Sequence, residues 1–307
     1  MTAPAGPRTV QHCPACRSDA VRVGPQSHRT GLVVARCRTC GAQFLVDDNP
    51  ADVTEVIGTD EVSVEYVNTW VDHKREGVGP RAWHDVLAAL VRETDTGQRP
   101  PRLYDVGAGG GEFLAVARDE YGFEVSGNDI MEGAVTVARE RSGIELDLGD
   151  LAQLDHEDDY DAVTMWCVLA HVPDGEQLLR EVHRMLVPGG VLYLQTPHNT
   201  VPDRSLLAAR TLTRGRATRL SDRRLAGNGH HRILHTPRSM TRLLERAGFT
   251  DARVVPQARY SMSSVAYLRS LRAPEPVLRP AAWLMDRAIA SPLAPRITLD
   301  VWARKPR

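Results

Sequence analysis

No run of apolar residues in this 307-residue chain approaches the ~20 needed to span a bilayer. The opening MTAPAGPRTV lacks the apolar stretch of a secretory signal, so a cytoplasmic location is the expectation. Lysine is nearly missing: of 38 basic residues two are Lys (Lys74 and Lys305) and 36 are Arg. Such a bias fits a GC-rich genome better than a special use of arginine. Net charge is lacking too, at −1, so no global field draws the chain toward nucleic acid or membrane. Internal repeats and low-complexity tracts are absent. What remains is ordinary for a soluble globular protein, 42% hydrophobic and 25% charged, long enough for one large or two modest domains.

Cysteine is sparse but patterned. Four of the five cysteines fall as C-x2-C-x20-C-x2-C, at Cys13, Cys16, Cys37 and Cys40. In a cytosolic chain such pairs suggest metal rather than disulfides. Four thiolates complete a tetrahedral zinc site and leave no open position, so the expected role is structural. Gly41 allows the tight turn a knuckle needs, and His12 stands outside the ligand set. Residues 1–48 therefore read as a zinc ribbon, serving as a staple or a substrate-side lid. Residues 49–100 read as a linker (DDNPAD) and a helical extension. The extension includes an amphipathic helix over Arg81–Val91, with Trp83, Val86, Leu87, Leu90 and Val91 on one face.

From residue 101 onward strands and helices alternate. Strands are expected at Arg102–Val106, Phe123–Ser126, Ile144–Leu148, Tyr160–Trp166, Val191–Thr196, Arg253–Val255 and Ile297–Ala303. Helices are expected at Glu112–Glu120, Met131–Arg141, Glu176–Val187 and from Pro237 to a stop at Gly248. That rhythm predicts an α/β, Rossmann-like doubly wound sheet of seven mostly parallel strands. It is broken once, by a polar, Arg-rich insert at 197–235.

The first strand runs into LYDVGAGGG, Leu103–Gly111. Glycines there let backbone N–H groups approach a ligand. A dinucleotide fingerprint needs G-x-G-x-x-G, and Glu112 stands where its third glycine belongs. Acids follow three successive strands: Asp105, Asp129 and Asp150. The D-x-G-x-G-x-G pattern with these acids resembles class I S-adenosylmethionine-dependent methyltransferases. The stretch YDAVTMWCVLAHVPDGEQLLREVHRMLVPGGVLYLQTP resembles their ubiquinone-biosynthesis-type members over about residues 102–200. The resemblance implies that S-adenosyl-L-methionine lies on the loop Asp105, Gly107, Ala108, Gly109 and Gly111. It implies ribose contacts at Asp129 and Ile130, adenine contacts at Asp150 and Leu151, and Cys167 beside the cofactor.

For a hydroxyl acceptor, methyl transfer also needs a base, and histidine titrates near neutrality. The candidates are His171 after the fourth strand, His198 after the fifth, and His230 and His231 after the flexible Gly227-Asn228-Gly229. His235 reads as a cap or packing residue. The zinc module with these histidines is also similar to sugar C-methyltransferases acting on nucleotide-linked deoxysugars. This chain departs from them in carrying His230 where they have an acid, and in ending soon after the core.

Ten arginines and one acid, Asp222, lie within residues 204–242. They form either an anion-binding patch or a solvated helix pair, and no aromatic residue interleaves them to stack bases. The leading reading is a methyltransferase for a small-molecule acceptor, most simply at oxygen, with structural Zn2+. An RNA methyltransferase using ribbon and arginines ranks behind it, as does a non-catalytic cofactor-binding subunit. The apolar helix expected at 276–290 offers core packing, a lid, a membrane-surface contact or a homodimer face.

Overall fold

The computed structural model describes residues 10, 12–46, 63–75, 79–94, 96, 97, 99–154, 156–226, 231–258, 264–270 and 274–307. The expected linker around DDNPAD lies outside these residues, as does His230.

Three short strands open the chain: β1 (Val21–Val23), β2 (Val34–Cys37) and β3 (Gln43–Leu45). Two helices follow, α1 (Val64–Arg75) and α2 (Gly79–Glu93). The alternating core then runs β4 (Arg102–Val106), α3 (Glu112–Tyr121), β5 (Glu124–Asp129), α4 (Glu132–Val137), β6 (Asp147–Leu148), β7 (Tyr160–Trp166), α5 (Gly175–Met185) and β8 (Leu186–Pro197). The insert folds as α6 (Val201–Leu212), α7 (Arg219–Ala226) and β9 (Ile233–Leu234). The chain closes with α8 (Pro237–Arg246), β10 (Thr250–Gln257), α9 (Ser264–Ser270), α10 (Glu275–Ala290) and β11 (Thr298–Arg304).

The large sheet has seven strands in the order β10-β11-β8-β7-β4-β5-β6. Pairing is parallel from β8 through β6, and β11 runs antiparallel to both its neighbours. The expected doubly wound sheet is therefore present. Strand side chains alternate between two cores, as a pleat requires. Val163, Met165, Leu192 and Leu194 face α5 and α8, whereas Ala162, Val191 and Tyr193 face α2 and α3. Helix α5 buries Leu178, Leu179, Val182 and Met185, the stripe its spacing predicts. Asp174 caps it by accepting the Glu176 and Gln177 N–H groups.

Three details differ from the sequence reading. Val91 of α2 is 45% exposed, because the packing face there is one residue narrower than the apolar stripe. The expected helix at Met131–Arg141 is α-helical only to Val137 and continues as a π-turn over Ala138–Ser142. The apolar helix near the C-terminus buries Leu278 and Ala282 but exposes Val277, Trp283 and Leu284, so it packs on the core along a narrow line.

The small sheet changes the picture of the ribbon. Its order is β1-β2-β3-β9, all antiparallel, and the fourth strand comes from the insert. Phe44 pairs with Ile233 and Gln43 with Leu234. Arg210 on α6 is fully buried against this module. Its Nη1 donates to Asp222 at 2.7 Å and its Nε to the Pro25 carbonyl at 2.9 Å, with a further bond to the Leu32 carbonyl. Arg210, one of the ten arginines of residues 204–242, is thus a bolt between insert and ribbon. Among the described residues no helix is long and apolar enough to cross a membrane.

Candidate active site

The glycine loop follows β4, and its shape is set by backbone the sequence alone can supply. Gly107, Gly109 and Gly111 have φ of 68°, 60° and 73°, the left-handed region that side chains disfavour. A Cβ on Gly107 would fall 2.5 Å from Val168 Cγ2, and one on Gly110 2.5 Å from Val71 Cγ2. The loop is therefore clasped between α1 on one side and the segment after β7 on the other. Ala108 N–H donates to the Asn128 carbonyl at 2.9 Å.

The acids hold this loop. Asp105 is 2% exposed and accepts from Thr164 Oγ1 at 2.6 Å, which fixes it at the junction of β4 and β7. Asp129, at the end of β5, accepts the Gly109 N–H through Oδ2 at 2.9 Å and the Met131 N–H through Oδ1 at 3.0 Å. Sequence reasoning assigned Asp129 to a ligand and missed this tie to the glycine loop. Ile130 follows at the half-buried start of the next turn. Asp150 follows β6, is exposed, and caps a short turn over Leu151–Gln153 by accepting the Ala152 N–H; Leu151 is buried beneath it. Three carboxylates at the carboxyl ends of adjacent parallel strands, around a left-handed glycine loop, suit a ligand rich in hydroxyls, amines and positive charge. S-adenosylmethionine has that chemistry.

Beyond β7 the chain makes a second unusual turn. Cys167 has φ of 66°, rare for a residue with a side chain and a form of local strain that gathers at functional sites. Its N–H donates to the Gln195 carbonyl at 2.9 Å. The turn brings three predicted residues together: one donor atom each from Cys167, His171 and His231 lies within 4.8 Å of the others. Cys167 Sγ stands 3.6 Å from His231 Nε2, and the rings of His171 and His231 are 5.0 Å apart. His231 Nδ1 lies 3.4 Å from the Arg224 carbonyl. A carbonyl only accepts, so that contact places the ring proton on Nδ1 and the lone pair on Nε2, toward Cys167. Val168, next to Cys167, is the residue that packs against Gly107, so this trio adjoins the glycine loop.

His198 does not join the trio. Its Nδ1 donates to the Arg296 carbonyl at 2.6 Å, and it bridges to His235 across the backbone. Burial lowers its pKa, with the Arg296 contact acting in the opposite direction. His235 is buried and held neutral, with its pKa pulled down to about 4 by desolvation. It packs at the start of α8, as expected.

The four ribbon cysteines also converge. Sγ atoms of Cys13 and Cys40, and of Cys16 and Cys37, are 3.6 Å apart, and all four lie within 4.8 Å of one another. Zinc–sulfur bonds of about 2.3 Å in a tetrahedron put sulfurs roughly 3.8 Å apart, so the cluster has the size such an ion needs. Burial pushes the Cys37 thiol up, but N–H groups of Cys40 and Thr39 outweigh it and bring it down to about 7. Glu176 holds the first knuckle to the core. It accepts from Arg17, Arg180 and Arg246 at 3.3, 2.7 and 2.5 Å, a hub no sequence signal announced.

A doubly wound sheet with one antiparallel strand, a left-handed glycine loop and acids after successive strands define a class I S-adenosylmethionine-dependent methyltransferase. The family of methyltransferase domains matches residues 71–254, more than half of the chain, and the chain belongs to that family. A ubiquinone biosynthesis O-methyltransferase of Pseudomonas aeruginosa is 32% identical over 148 residues, 41% of this chain and 63% of its own. One from Thiobacillus denitrificans is 33% identical over 143 residues, 43% of this chain and 59% of its own. The chain thus spans about three-fifths of the length of these relatives. Among solved structures, a phosphoethanolamine N-methyltransferase of Haemonchus contortus in complex with S-adenosyl-L-methionine superposes with a TM-score of 0.56. It is 15% identical and covers 86% of this chain and 62% of its own, a likeness of fold.

Proposed function

We propose that this chain methylates a hydroxyl group of a small molecule, with a histidine taking the acceptor's proton. The carrying observation is the meeting of Cys167, His171 and His231 beside the glycine loop. Bound S-adenosylmethionine supplies an electrophilic methyl group on a sulfonium. Asp105, Asp129 and Asp150 would hold its ammonium, ribose and adenine ends, with Ile130 and Leu151 flanking them and Ala108 in the loop. Oxygen as the acceptor atom is supported by the O-methyltransferase names of the relatives and by two histidine rings within reach of the glycine loop.

His231 is the base in this reading. Its Nδ1 donates to the Arg224 carbonyl, and Nε2, which faces the Cys167 thiol, would exchange that contact for the acceptor's hydroxyl and take its proton. His171 lies against the same ring and orients it or the acceptor. Positioning of nucleophile and methyl group supplies the rest of the rate. His230, the chain neighbour of His231, is a further candidate base, and His198 would form a more distant wall.

Cys13, Cys16, Cys37 and Cys40 would hold structural Zn2+, with no open position for chemistry. In this reading the chain divides into a ribbon at 1–48, an extension at 49–100 and a catalytic domain at 101–307, whose insert at 197–235 lends β9 to the ribbon's sheet.

The test pairs methyl-labelled S-adenosylmethionine with a panel of hydroxylated small molecules and, separately, with total RNA. Label in a small-molecule methyl ether supports the reading. Label in RNA alone, or no cofactor binding by folded protein in calorimetry, overturns it.

A further inference from the structure

The insert strand β9 is two residues long and pairs with the ribbon strand β3. So short a strand has no stability of its own. Its position is set by what surrounds it, and much of that is ribbon. Leu45 N–H donates to the Arg232 carbonyl at 2.8 Å just before β9, and Thr236 Oγ1 donates to the Cys40 carbonyl at 2.6 Å just after it. Asn199 Nδ2 donates to the Gly41 carbonyl at 2.7 Å, from the end of β8. The second cysteine knuckle is therefore gripped from two sides by the segments that flank the acceptor region.

The other end of this chain of contacts is the histidine pair. Arg232 N–H donates to the Ala170 carbonyl at 2.7 Å. Arg232 follows His231 and Ala170 precedes His171, so one backbone bond sets the two rings side by side. Ile233, the next residue, is buried in the ribbon's own core with Cys13, Cys37, Cys40 and Phe44. Three of the ten buried residues of that core are cysteines, Cys13, Cys37 and Cys40. A core so small, built on thiols, has little hydrocarbon to fold around without a metal.

The cofactor acids sit elsewhere. Asp105, Asp129 and Asp150 lie on or after β4, β5 and β6, which pair with one another and with β7 rather than with ribbon strands. Metal loss at the knuckles should reach the histidine pair and leave the cofactor loop intact.

We infer that the four-cysteine centre is a positioning element for the acceptor site: metal bound there fixes β9 through Cys40, Gly41 and β3, and so holds His231 against Cys167 and His171. This rests on the proposed zinc site and acceptor wall. It goes beyond a staple, because it assigns the metal an effect on one half of the site and none on the other.

The experiment uses the full chain, as purified and after chelation. Zinc content, S-adenosylmethionine affinity by calorimetry and amide exchange by mass spectrometry are measured on both. Expected are one zinc per chain and, after its removal, exchange about tenfold faster or more in residues 43–46 and 231–236. Strands β4 and β7 stay protected, and the cofactor Kd moves by less than about threefold. The variant Asn199→Ala, which keeps all four cysteines, should keep its zinc and loosen 231–236 by a smaller factor. Absence of zinc from the purified chain overturns the underlying metal reading. Zinc present but 231–236 unchanged on its removal overturns the positioning role alone. Loss of cofactor binding along with the metal overturns it too, since the ribbon would then serve the whole fold.

Discussion

Cys167 Sγ and His231 Nε2 lie 3.6 Å apart although the residues are 64 positions apart in sequence. The left-handed backbone at Cys167 turns its side chain toward the insert, and β9 turns the insert back. Neither element makes the pair alone.

If His231 is the base, His231→Ala should lower turnover by about 10²–10⁴-fold with S-adenosylmethionine affinity unchanged. His171→Ala should cost less and shift the pH profile, because it alters the ring beside the base. Cys167→Ala should keep most of the activity, since the thiol orients rather than accepts the proton. Initial rates against pH for the three variants, with calorimetry for the cofactor, check this. Full activity in both histidine variants would leave positioning alone as the source of rate.

The glycine loop predicts the opposite pattern. Gly107→Ala puts a side chain at φ 68° and 2.5 Å from Val168. Left-handed backbone costs a non-glycine residue about 1–2 kcal/mol before the clash, so cofactor affinity should fall at least about tenfold. Asp129→Asn should also weaken it, because an amide nitrogen would replace one oxygen that now accepts from Gly109 or Met131. Calorimetric Kd values, with thermal melts showing the fold retained, test both.

The order in which these features could be read from sequence has physical causes. The parallel sheet was legible because apolar strands such as Tyr160–Trp166 are buried on both faces, which leaves a continuous apolar run in the sequence. The glycine loop was legible because its left-handed angles favour glycine over residues with a side chain. The four cysteines were legible by spacing. Strand β9 was not: two residues carry no period, and its partner Phe44 lies far away in sequence. Helix α1 carried a weaker signal: among its described side chains the buried ones are Val67 and Val71, packed on Ala134 and Val137. The tie from Asp129 to Gly109 was hidden because an acid after a strand reads as a ligand contact, whichever backbone N–H it meets.

Arg210 offers a test of the ribbon–insert joint. Its guanidinium is fully buried and paired with Asp222, which also accepts from Ser27 at 2.7 Å and Thr30 at 2.9 Å. Burial pushes the Asp222 carboxyl up, but these hydroxyls, Thr218 and Arg210 together hold it below the usual range. Arg210→Met removes the cation and strands a buried carboxylate, at a cost of about 3–5 kcal/mol. Adding Asp222→Leu should return part of that, since the uncompensated charge is gone. Urea unfolding of the two variants measures the difference; a loss near zero for Arg210→Met would mean that water reaches Asp222.

His235 should make stability depend on pH. Its folded pKa is about 4, below the ordinary value of 6.5, because its ring is buried. The unfolded chain therefore binds a proton between pH 6.5 and 4 that the folded chain refuses. The sign follows: the contribution is whole above pH 6.5 and is lost as pH falls through that window, by about 3 kcal/mol at most. His183 and His198 are lowered as well and act in the same direction. His235→Asn should leave stability at pH 7.5 reduced by the lost packing but flatten its fall between pH 6.5 and 4.5. Urea midpoints at half-unit pH steps give the slope. An unchanged slope in the variant would show that His235 takes up its proton without unfolding, by turning toward Ser239, whose Oγ lies 3.2 Å from Nδ1.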